Sequence, residues 1–378
     1  MVTTTALATQ AIILLQSYIE SMGYRPIIHF ELEGCVAHPN TNKSIAIDYA
    51  QINYQLEKLG IDGELVPEYW QNQWEYVSKF NGQSPFKEAK NLALAIDKLP
   101  QLFARQGIKK TLIKPVVWSG DHGKLALGSK NIFAVGSRAV HIPNAVQINV
   151  SATDEKSENI IPKNSFGEYL QQCFIETSLA NSLLYLPEEE AFERLALKSR
   201  YGLVDELCSP TDISGGHQGS IALYKKIGKH NQQLGIEPVL FDAQHQAVLT
   251  THNWQKTARV EHRLGASSLH YNPFVNIAFA LANLVQALEV YKQGLCQQQL
   301  KGDISAQALP NSLFDVGNSR GAISLFCENT WFSDLINHIE SIVSKSPLSI
   351  NYESTGPLGN KLKQSILAGY QHNVLQII

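Results

Sequence analysis

The five residues Phe30-Glu31-Leu32-Glu33-Gly34 alternate apolar and acidic side chains and end on a glycine. Successive side chains of a β-strand point to opposite faces of its sheet. A strand at this position would place Glu31 and Glu33 on one face, and Phe30 and Leu32 on the other. The stretch therefore predicts a strand with an ionic front and an apolar back.

Three further stretches, 73–77, 146–150 and 259–263, also alternate between a polar front and a largely apolar back. The polar fronts of all four stretches are His29, Glu31 and Glu33; Gln73 and Glu75; Gln147 and Asn149; and Arg259, Glu261 and Arg263. An exposed strand explains the first stretch alone equally well. Exposed faces usually carry Lys, Thr and Ser, however, whereas these fronts carry carboxylates, amides and arginines.

Carboxylates gathered on one sheet face repel one another strongly unless cations offset their charge. Hard oxygen ligands at this density suit Mg²⁺ or Mn²⁺, ions that also bridge nucleotide phosphates. Arginines beside them suit bidentate binding of a phosphate or a substrate carboxylate. The four fronts together predict a metal and phosphate site.

Strand and helix patterns alternate along the chain, without an internal repeat. The predicted strands span 26–35, 70–78, 110–118, 131–137, 144–151, 237–243 and 256–264. The predicted helices span 6–22, 46–59, 84–106, 165–185, 188–199, 219–234, 272–293, 332–345 and 358–376.

Two helix starts carry clear sequence signals. Ser84 is a suitable N-cap and Pro85 suits the first position of the helix at 84–106, while Pro100 could kink its end. Ser165 and Glu168 form an S-x-x-E capping box at the start of the helix at 165–185.

Composition excludes several classes of protein. The chain has 378 residues, 44% of them hydrophobic, and a net charge of −3, which does not favour nucleic acid or an acidic membrane surface as a partner. No apolar run reaches the ~18–20 residues of a membrane span, and the first residues do not resemble a signal peptide. The five cysteines lack C-x-x-C spacing, which favours free thiols and a cytoplasmic location.

Taken in order, the motifs resemble the glutamine synthetase superfamily, and most closely its glutamate–cysteine ligase branch. The resemblance covers roughly residues 26–293. The stretches that carry it are 30–34, 71–77 with the helix and strand that follow, 145–151, 179–183, 198–200, 258–263 and 272–274.

The resemblance implies a role for each matching residue. The implied metal ligands, for Mg²⁺ or Mn²⁺, are Glu31, Glu33, Glu68, Glu75, Gln147 and Glu261. The implied ATP contacts are Arg259, Gln147, Asn149 and Lys256. The implied catalytic residues are Arg259 at the ATP phosphates, Arg263 at the acyl phosphate or substrate carboxylate, and Arg200 at the substrate. Glu64 also qualifies for the place given to Glu68.

The resemblance also implies the fold. It is an α+β fold with a curved, mostly antiparallel sheet, a half-barrel with a polar concave face and helices packed outside. We expect a single catalytic domain over 1–378, with 294–378 as a C-terminal helical extension. No stretch resembles the N-terminal β-grasp domain or the ammonia-site loop of glutamine synthetase, which favours the shorter ligase branch.

The implied activity is ATP-dependent amide formation through an acyl phosphate, with γ-glutamyl transfer from glutamate to an amino acid such as cysteine. Three alternatives remain open: another amine (a polyamine or ammonia), a phosphotransferase like the guanidino kinases, and a non-catalytic binding protein on the same scaffold. The expected partners are small molecules, without nucleic acid or membrane, and helices 6–22 and 358–376 suit either the core or a homo-oligomer interface.

One other register, that is, another alignment of the chain with the motifs of this superfamily, is attractive. Glu168 and Glu176 are eight residues apart, and the Gly-rich stretch before His217 resembles the histidine strand of the synthetases. We reject this register because 166–183 has helical rather than alternating spacing, and because it leaves Gln147 and Asn149 unused.

Overall fold

The structure is a computed structural model. It describes residues 3–37, 46–68, 72–79, 82–118, 141–200, 221–225, 240–241, 244, 247–248, 254–301, 309–344 and 356–374. The predictions for residues 131–137 and His217 lie outside these ranges.

Helices and strands are numbered here in chain order. The helices are α1 (Thr4–Ser21), α2 (Tyr49–Lys58), α3 (Pro85–Arg105), α4 (Phe166–Ser178), α5 (Glu189–Arg200), α6 (Pro273–Lys292), α7 (Cys296–Gln299), α8 (Ala322–Glu328), α9 (Trp331–Val343) and α10 (Leu358–Val374). The strands are β1 (Arg25–Ala37), β2 (Gly63–Pro67), β3 (Gln73–Ser78), β4 (Lys110–Leu112), β5 (Val116–Trp118), β6 (His141–Pro143), β7 (Ala145–Thr153), β8 (Ile221–Tyr224), β9 (Leu240–Phe241), β10 (Ala247–Val248) and β11 (Arg259–Ala266). Two 3₁₀ turns span Ser182–Leu184 and Trp254–Thr257.

Seven strands form one antiparallel sheet in the order β2-β3-β1-β7-β11-β8, with β4 paired to the end of β1. β1 lies at its centre. It pairs with β3 through residues 31–35 and with β7 through residues 25–32. The predicted α+β class with an antiparallel sheet is confirmed, while the half-barrel curvature and the single domain over 1–378 stay predictions.

The apolar side chains of the sheet form its back. Phe30, Leu32, Trp74 and Tyr76 are all fully buried in the main core, as the alternating pattern predicted. Helix α6 lies behind this surface, where it contacts β1 and β7 and packs against α1, α3 and α4. The sheet thus rests on helices on one side, which leaves its polar side chains on the other.

Within the described part of the chain, α6 alone is long and apolar enough to cross a membrane by length and composition. Its most apolar 18-residue window is 72% buried inside the protein. A helix that is hydrophobic all round is expected at the centre of a large core. Packing thus accounts for the apolar character of α6.

Most of the predicted helices and strands are confirmed to within a few residues. Helix α3 begins as predicted, because the Ser84 hydroxyl accepts a hydrogen bond from the Lys87 N–H at 3.3 Å. It continues through Pro100 as one helix. The predicted strand at 110–118 is divided into β4 and β5. The four cysteines in the described ranges are free thiols, as predicted.

Three local predictions are wrong. The predicted helix at 219–234 begins instead as strand β8, which pairs with β11, and residues 226–234 lie outside the description. The helix predicted to reach 185 ends at Ser178. The capping box is not formed, because Ser165 has a left-handed backbone with φ 58° and Glu168 pairs with Lys225 at 2.6 Å. In addition, the short edge strand β2 was not among the predicted strands.

Gly34 lies where the Trp74 ring crosses β1. A Cβ at position 34 would lie 2.3 Å from Cζ2 of Trp74. The ring cannot move aside freely, because it is fully buried and lies against Phe103 with ring centroids 5.5 Å apart. The glycine that follows Glu33 is therefore required by the packing behind the sheet.

We expect Gly34→Ala to lower the free energy of unfolding by about 1–3 kcal/mol, the usual effect of overpacking a core. Urea denaturation measures it. Gly369→Ala is the matched control, because nothing lies within 4 Å of the added Cβ and alanine favours a helix by about 1 kcal/mol. Equal stability of Gly34→Ala and the wild type would contradict this packing.

Candidate active site

The pairing of β1 with its two neighbours brings the predicted polar residues together. Glu33 lies directly opposite Glu75 of β3. Glu31 lies directly opposite Gln147 of β7. Side chains at directly opposed positions share a face and have Cβ atoms about 4.5–5.5 Å apart. Two pairs of candidate ligands are therefore adjacent on the front of the sheet.

The next strand extends this surface. Asn149 of β7 lies opposite His29 on one side and opposite Glu261 of β11 on the other. Arg259 and Arg263 flank Glu261 at alternate positions of β11. Eight of the predicted site residues thus share one face: Glu31, Glu33, Glu75, Gln147, Asn149, Arg259, Glu261 and Arg263.

Protein donors hold the carboxylates of β1. The Ala145 N–H donates to Glu33 Oε2 at 2.8 Å, and Gln147 Nε2 donates to Glu33 Oε1 at 3.1 Å. Asn149 Nδ2 donates to Glu31 Oε1 at 3.1 Å. The two candidate amide ligands therefore also orient the two carboxylates beside them.

Helix α3 fixes the end of β1 that precedes these carboxylates. Ser78 Oγ donates to Glu88 Oε2 at 2.6 Å and accepts from the Phe30 N–H at 3.1 Å. His29 Nδ1 lies 3.6 Å from Glu88 Oε1, and both side chains are buried. This polar contact ties the first turn of α3 to β1.

Glu261 is fully buried and is held between two arginines. Arg259 Nη2 donates to Glu261 Oε2 at 3.0 Å, and Arg263 Nη1 donates to Glu261 Oε1 at 3.1 Å. The Arg259 guanidinium also lies 4.6 Å from the centroid of the Tyr224 ring, and Arg263 Nη1 donates to the Tyr224 hydroxyl at 3.3 Å. Two cations and one carboxylate leave this end of the face with net positive charge.

Burial and charge set the protonation of this cluster. Burial lowers the pKa of Arg263, but the charges of Glu261 and Glu33 and the hydrogen bond to the Tyr224 hydroxyl outweigh it and raise that pKa above its usual value. Burial, aided by Glu261, raises the pKa of Tyr224, against the opposing effect of the two arginines. At neutral pH, therefore, the Arg263 guanidinium is charged and the Tyr224 hydroxyl keeps its proton.

The chemistry of the donor set fits a hard divalent cation. Carboxylate oxygens of β1, β3 and β11 and an amide oxygen of β7 lie on one face, and these are the ligand types that Mg²⁺ and Mn²⁺ prefer. Among the described residues, however, no three His, Cys, Asp or Glu side chains converge as a ready coordination set. Binding a cation there therefore requires the carboxylates to draw closer together around the ion.

The remaining predicted residues lie elsewhere or outside the description. Val66 lies opposite Glu75, and Glu64 and Glu68 are each two residues from Val66 along the chain. Glu64 is exposed and Glu68 is half-buried. Lys256 is exposed in a 3₁₀ turn. Arg200 ends α5, and its side chain lies outside the description. Their roles stay predictions.

Tyr224 is the site residue that the sequence analysis missed. It contacts both arginines from β8, the strand that was predicted as a helix. A signal was present, because Ile221-Ala222-Leu223-Tyr224 is a short apolar run after Gly219-Ser220. Such a run is consistent with a fully buried strand.

Solved structures share this fold. A novel glutamine synthase homolog is 14% identical with a TM-score of 0.58, over 98% of this chain and 71% of that one. GmaS in complex with ADP is 11% identical with a TM-score of 0.56, over 97% and 74% of the two chains. Plasmodium falciparum glutamine synthetase is 10% identical with a TM-score of 0.56, over 98% and 76%. No protein-family model matches the chain, and no curated protein matches its sequence.

At these identities the likeness concerns the fold alone. The chain has the fold of glutamine synthetase and its homologues, as the order of the sequence motifs predicted. The narrower prediction of the glutamate–cysteine ligase branch stays a prediction.

We expect Glu75→Gln to raise the stability of the metal-free protein slightly and to weaken its binding of metal. Like charges directly opposite each other across two strands are destabilising by about 0.2–1 kcal/mol, so the variant without metal should melt slightly above the wild type. A ligand that binds the folded state raises the melting temperature. Mn²⁺ should therefore raise the melting temperature of the wild type, and most of that rise should be lost in the variant.

Glu57→Gln, which makes the same charge change at an exposed position on α2, is the matched control and should keep the full Mn²⁺ effect. An equal Mn²⁺ effect in the wild type and in Glu75→Gln would remove Glu75 from the metal site.

Proposed function

We propose that the chain is an ATP-dependent carboxylate–amine ligase that uses Mg²⁺ or Mn²⁺. The observation that carries this proposal is the strand register, which sets Glu33 beside Glu75 and Glu31 beside Gln147. One strand further on, an arginine–carboxylate–arginine cluster lies on the same face. The glutamine synthetase fold of the chain supports the assignment.

An unactivated carboxylate does not form an amide, because its oxygen is a very poor leaving group. In the proposed reaction, a carboxylate oxygen of one substrate attacks the γ-phosphorus of ATP, and ADP leaves. The product is an acyl phosphate. An amine then attacks the acyl carbon, loses a proton and expels inorganic phosphate.

The metal ions would be held by Glu31, Glu33, Glu75, Gln147 and Glu261, with Glu68 as a further candidate. When bound, they would supply positive charge that offsets the negative charge growing during phosphoryl transfer.

The two arginines of β11 would act on the phosphoryl group. Arg259 and Arg263 lie on either side of the buried Glu261, so their positions are fixed before substrate arrives. Preorganised donors stabilise developing charge without reorganisation during the reaction. Arg259 would bind the ATP phosphates, and Arg263 the transferred group and then the acyl phosphate. Arg263 remains charged across the neutral pH range, because Glu261 and the hydrogen bond with the Tyr224 hydroxyl raise its pKa.

The leading substrates are glutamate, through its γ-carboxylate, and an amino acid such as cysteine. A different amine would leave every role above unchanged, because the residues named act on phosphate and carboxylate. A second function has one observation in its favour: the carboxylates are held by protein donors and do not converge in the described residues. A non-catalytic protein on this scaffold would also show that arrangement.

We expect a screen of amines with ATP, Mg²⁺ and glutamate to find amine-dependent release of inorganic phosphate. Cysteine, other amino acids, polyamines and ammonia form the panel, and mass spectrometry identifies the amide. Arg259→Lys should lower turnover by about 10²-fold or more, because a single ammonium group cannot replace a bidentate guanidinium at the phosphates.

The outcomes separate the candidates. Release with cysteine alone supports a glutamate–cysteine ligase, and release with another amine supports the same chemistry with that acceptor. Transfer of phosphate to a guanidino compound would replace the ligase with a phosphotransferase. If no pairing releases phosphate and calorimetry detects no binding of Mg²⁺-ATP, the protein is a non-catalytic member of this fold.

A further inference from the structure

Strand β11 carries a bulge at Arg263. His262 pairs with Ile148 and Gly265 pairs with Val146, so β11 has two residues, Arg263 and Leu264, where β7 has only Gln147. A bulge inserts one residue, disrupts the ladder locally and re-aims the side chains around it. Glycine is required where pairing resumes, because a Cβ at Gly265 would lie 2.5 Å from the Val146 carbonyl oxygen.

A buried arginine from another element supports this bulge. Arg194 of α5 is only 3% exposed. Its Nη1 donates to the Leu264 carbonyl at 3.2 Å, and its Nη2 donates to the Arg263 carbonyl at 3.3 Å. The two terminal amino groups of Arg194 thus donate hydrogen bonds to the carbonyls of the two bulged residues. Buried carbonyl groups that leave a ladder need other donors, and the guanidinium supplies two in a rigid fork.

The side chain of Arg263 is fixed at its other end by the site itself. Its Nη1 lies 3.1 Å from Glu261 Oε1 and 3.3 Å from the Tyr224 hydroxyl. Arg194 therefore fixes the backbone of Arg263, while Glu261 and Tyr224 hold its guanidinium. The two groups of contacts thus hold Arg263 at both ends, the backbone from α5 and the guanidinium from the site.

We propose that Arg194 is a positioning residue for Arg263: it holds the bulge of β11 in the form that directs the Arg263 guanidinium to the phosphoryl group. This inference rests on the proposed function for its kinetic consequence. Lysine is not equivalent at this position, because one ammonium group is a point charge without the fork that spans two adjacent carbonyls.

The kinetic test uses Arg194→Lys and Arg194→Met with the substrate pair that the amine screen identifies. A misdirected Arg263 guanidinium lowers the stabilisation of the transition state more than it lowers the binding of the substrates in the ground state. We therefore expect kcat to fall about tenfold in Arg194→Lys, while KM for ATP changes by less than about threefold. In the Arg263→Lys background, Arg194→Lys should cause no further loss, because coupled residues are non-additive.

The matched control is Glu190→Gln. It removes the ion pair between Glu190 and Lys114, 3.1 Å long, from the same helix and keeps the Arg194 side chain that bonds the two bulge carbonyls. A purely structural role for Arg194 would lower the melting temperature of both helix variants while leaving kcat intact. An unchanged kcat in folded Arg194→Lys, or a full additive loss in the double variant, would overturn the proposal.

A crystal structure of Arg194→Met provides a readout that needs no activity. We expect the Arg263 guanidinium to leave its contacts with Glu261 and Tyr224. Retention of both contacts would overturn the proposal, even if the wild type proves inactive. Inactivity of the wild type with every amine would instead overturn the proposed function, so the two failures are distinguishable.

Discussion

The antiparallel pairing of β1 with a strand on each side is the constraint on which the rest of the structure depends. A shift of one residue would turn every side chain of a strand to the opposite face. Phe30 and Leu32 would then face the front, and Glu31 and Glu33 would enter the core against α6. Burial of the back and the fit of Trp74 over Gly34 exclude that shift. The packing of the core therefore determines where the carboxylates lie.

The front of the sheet is not built for stability. A buried carboxylate between two arginines contributes little to the stability of a fold. Apolar residues of similar size often give equal or greater stability. Glu33 and Glu75 are like charges on adjacent strands, which is also unfavourable. Violations of ordinary stability rules gather at functional sites. The proposed binding of cations and phosphate would account for the cluster around Glu261 and the pair at Glu33.

The sequence was sufficient to predict the central strands and the residues on their shared face. A two-residue period marks β1, β3, β7 and β11 directly. Because the apolar side of each strand must be buried, only one face of the sheet can carry the polar side chains. It was insufficient where contacts distant in sequence decide the structure. β8 is a strand because β11 offers it an edge, and its four residues were too few to show a period. Tyr224 was missed with it.

Charge pairing explains another difference. Ser165 and Glu168 fit a capping box by spacing, but Glu168 instead pairs with Lys225 directly after β8. The bulge at Arg263 and its support from Arg194 were also beyond the sequence pattern. Strict alternation places Arg263 on the front but gives no sign that an extra residue follows, or that α5 holds it. Such positions depend on tertiary contacts rather than local preference.

We propose that the strand register builds a cation and phosphate site on the front of the sheet. A crystal structure with Mn²⁺ and ADP, recorded at a wavelength where Mn²⁺ scatters anomalously, tests it most directly. We expect anomalous peaks between Glu33 and Glu75 and between Glu31, Gln147 and Glu261, with the ADP phosphates near Arg259. Mn²⁺ and ADP bound away from this face of the sheet would contradict the proposed site.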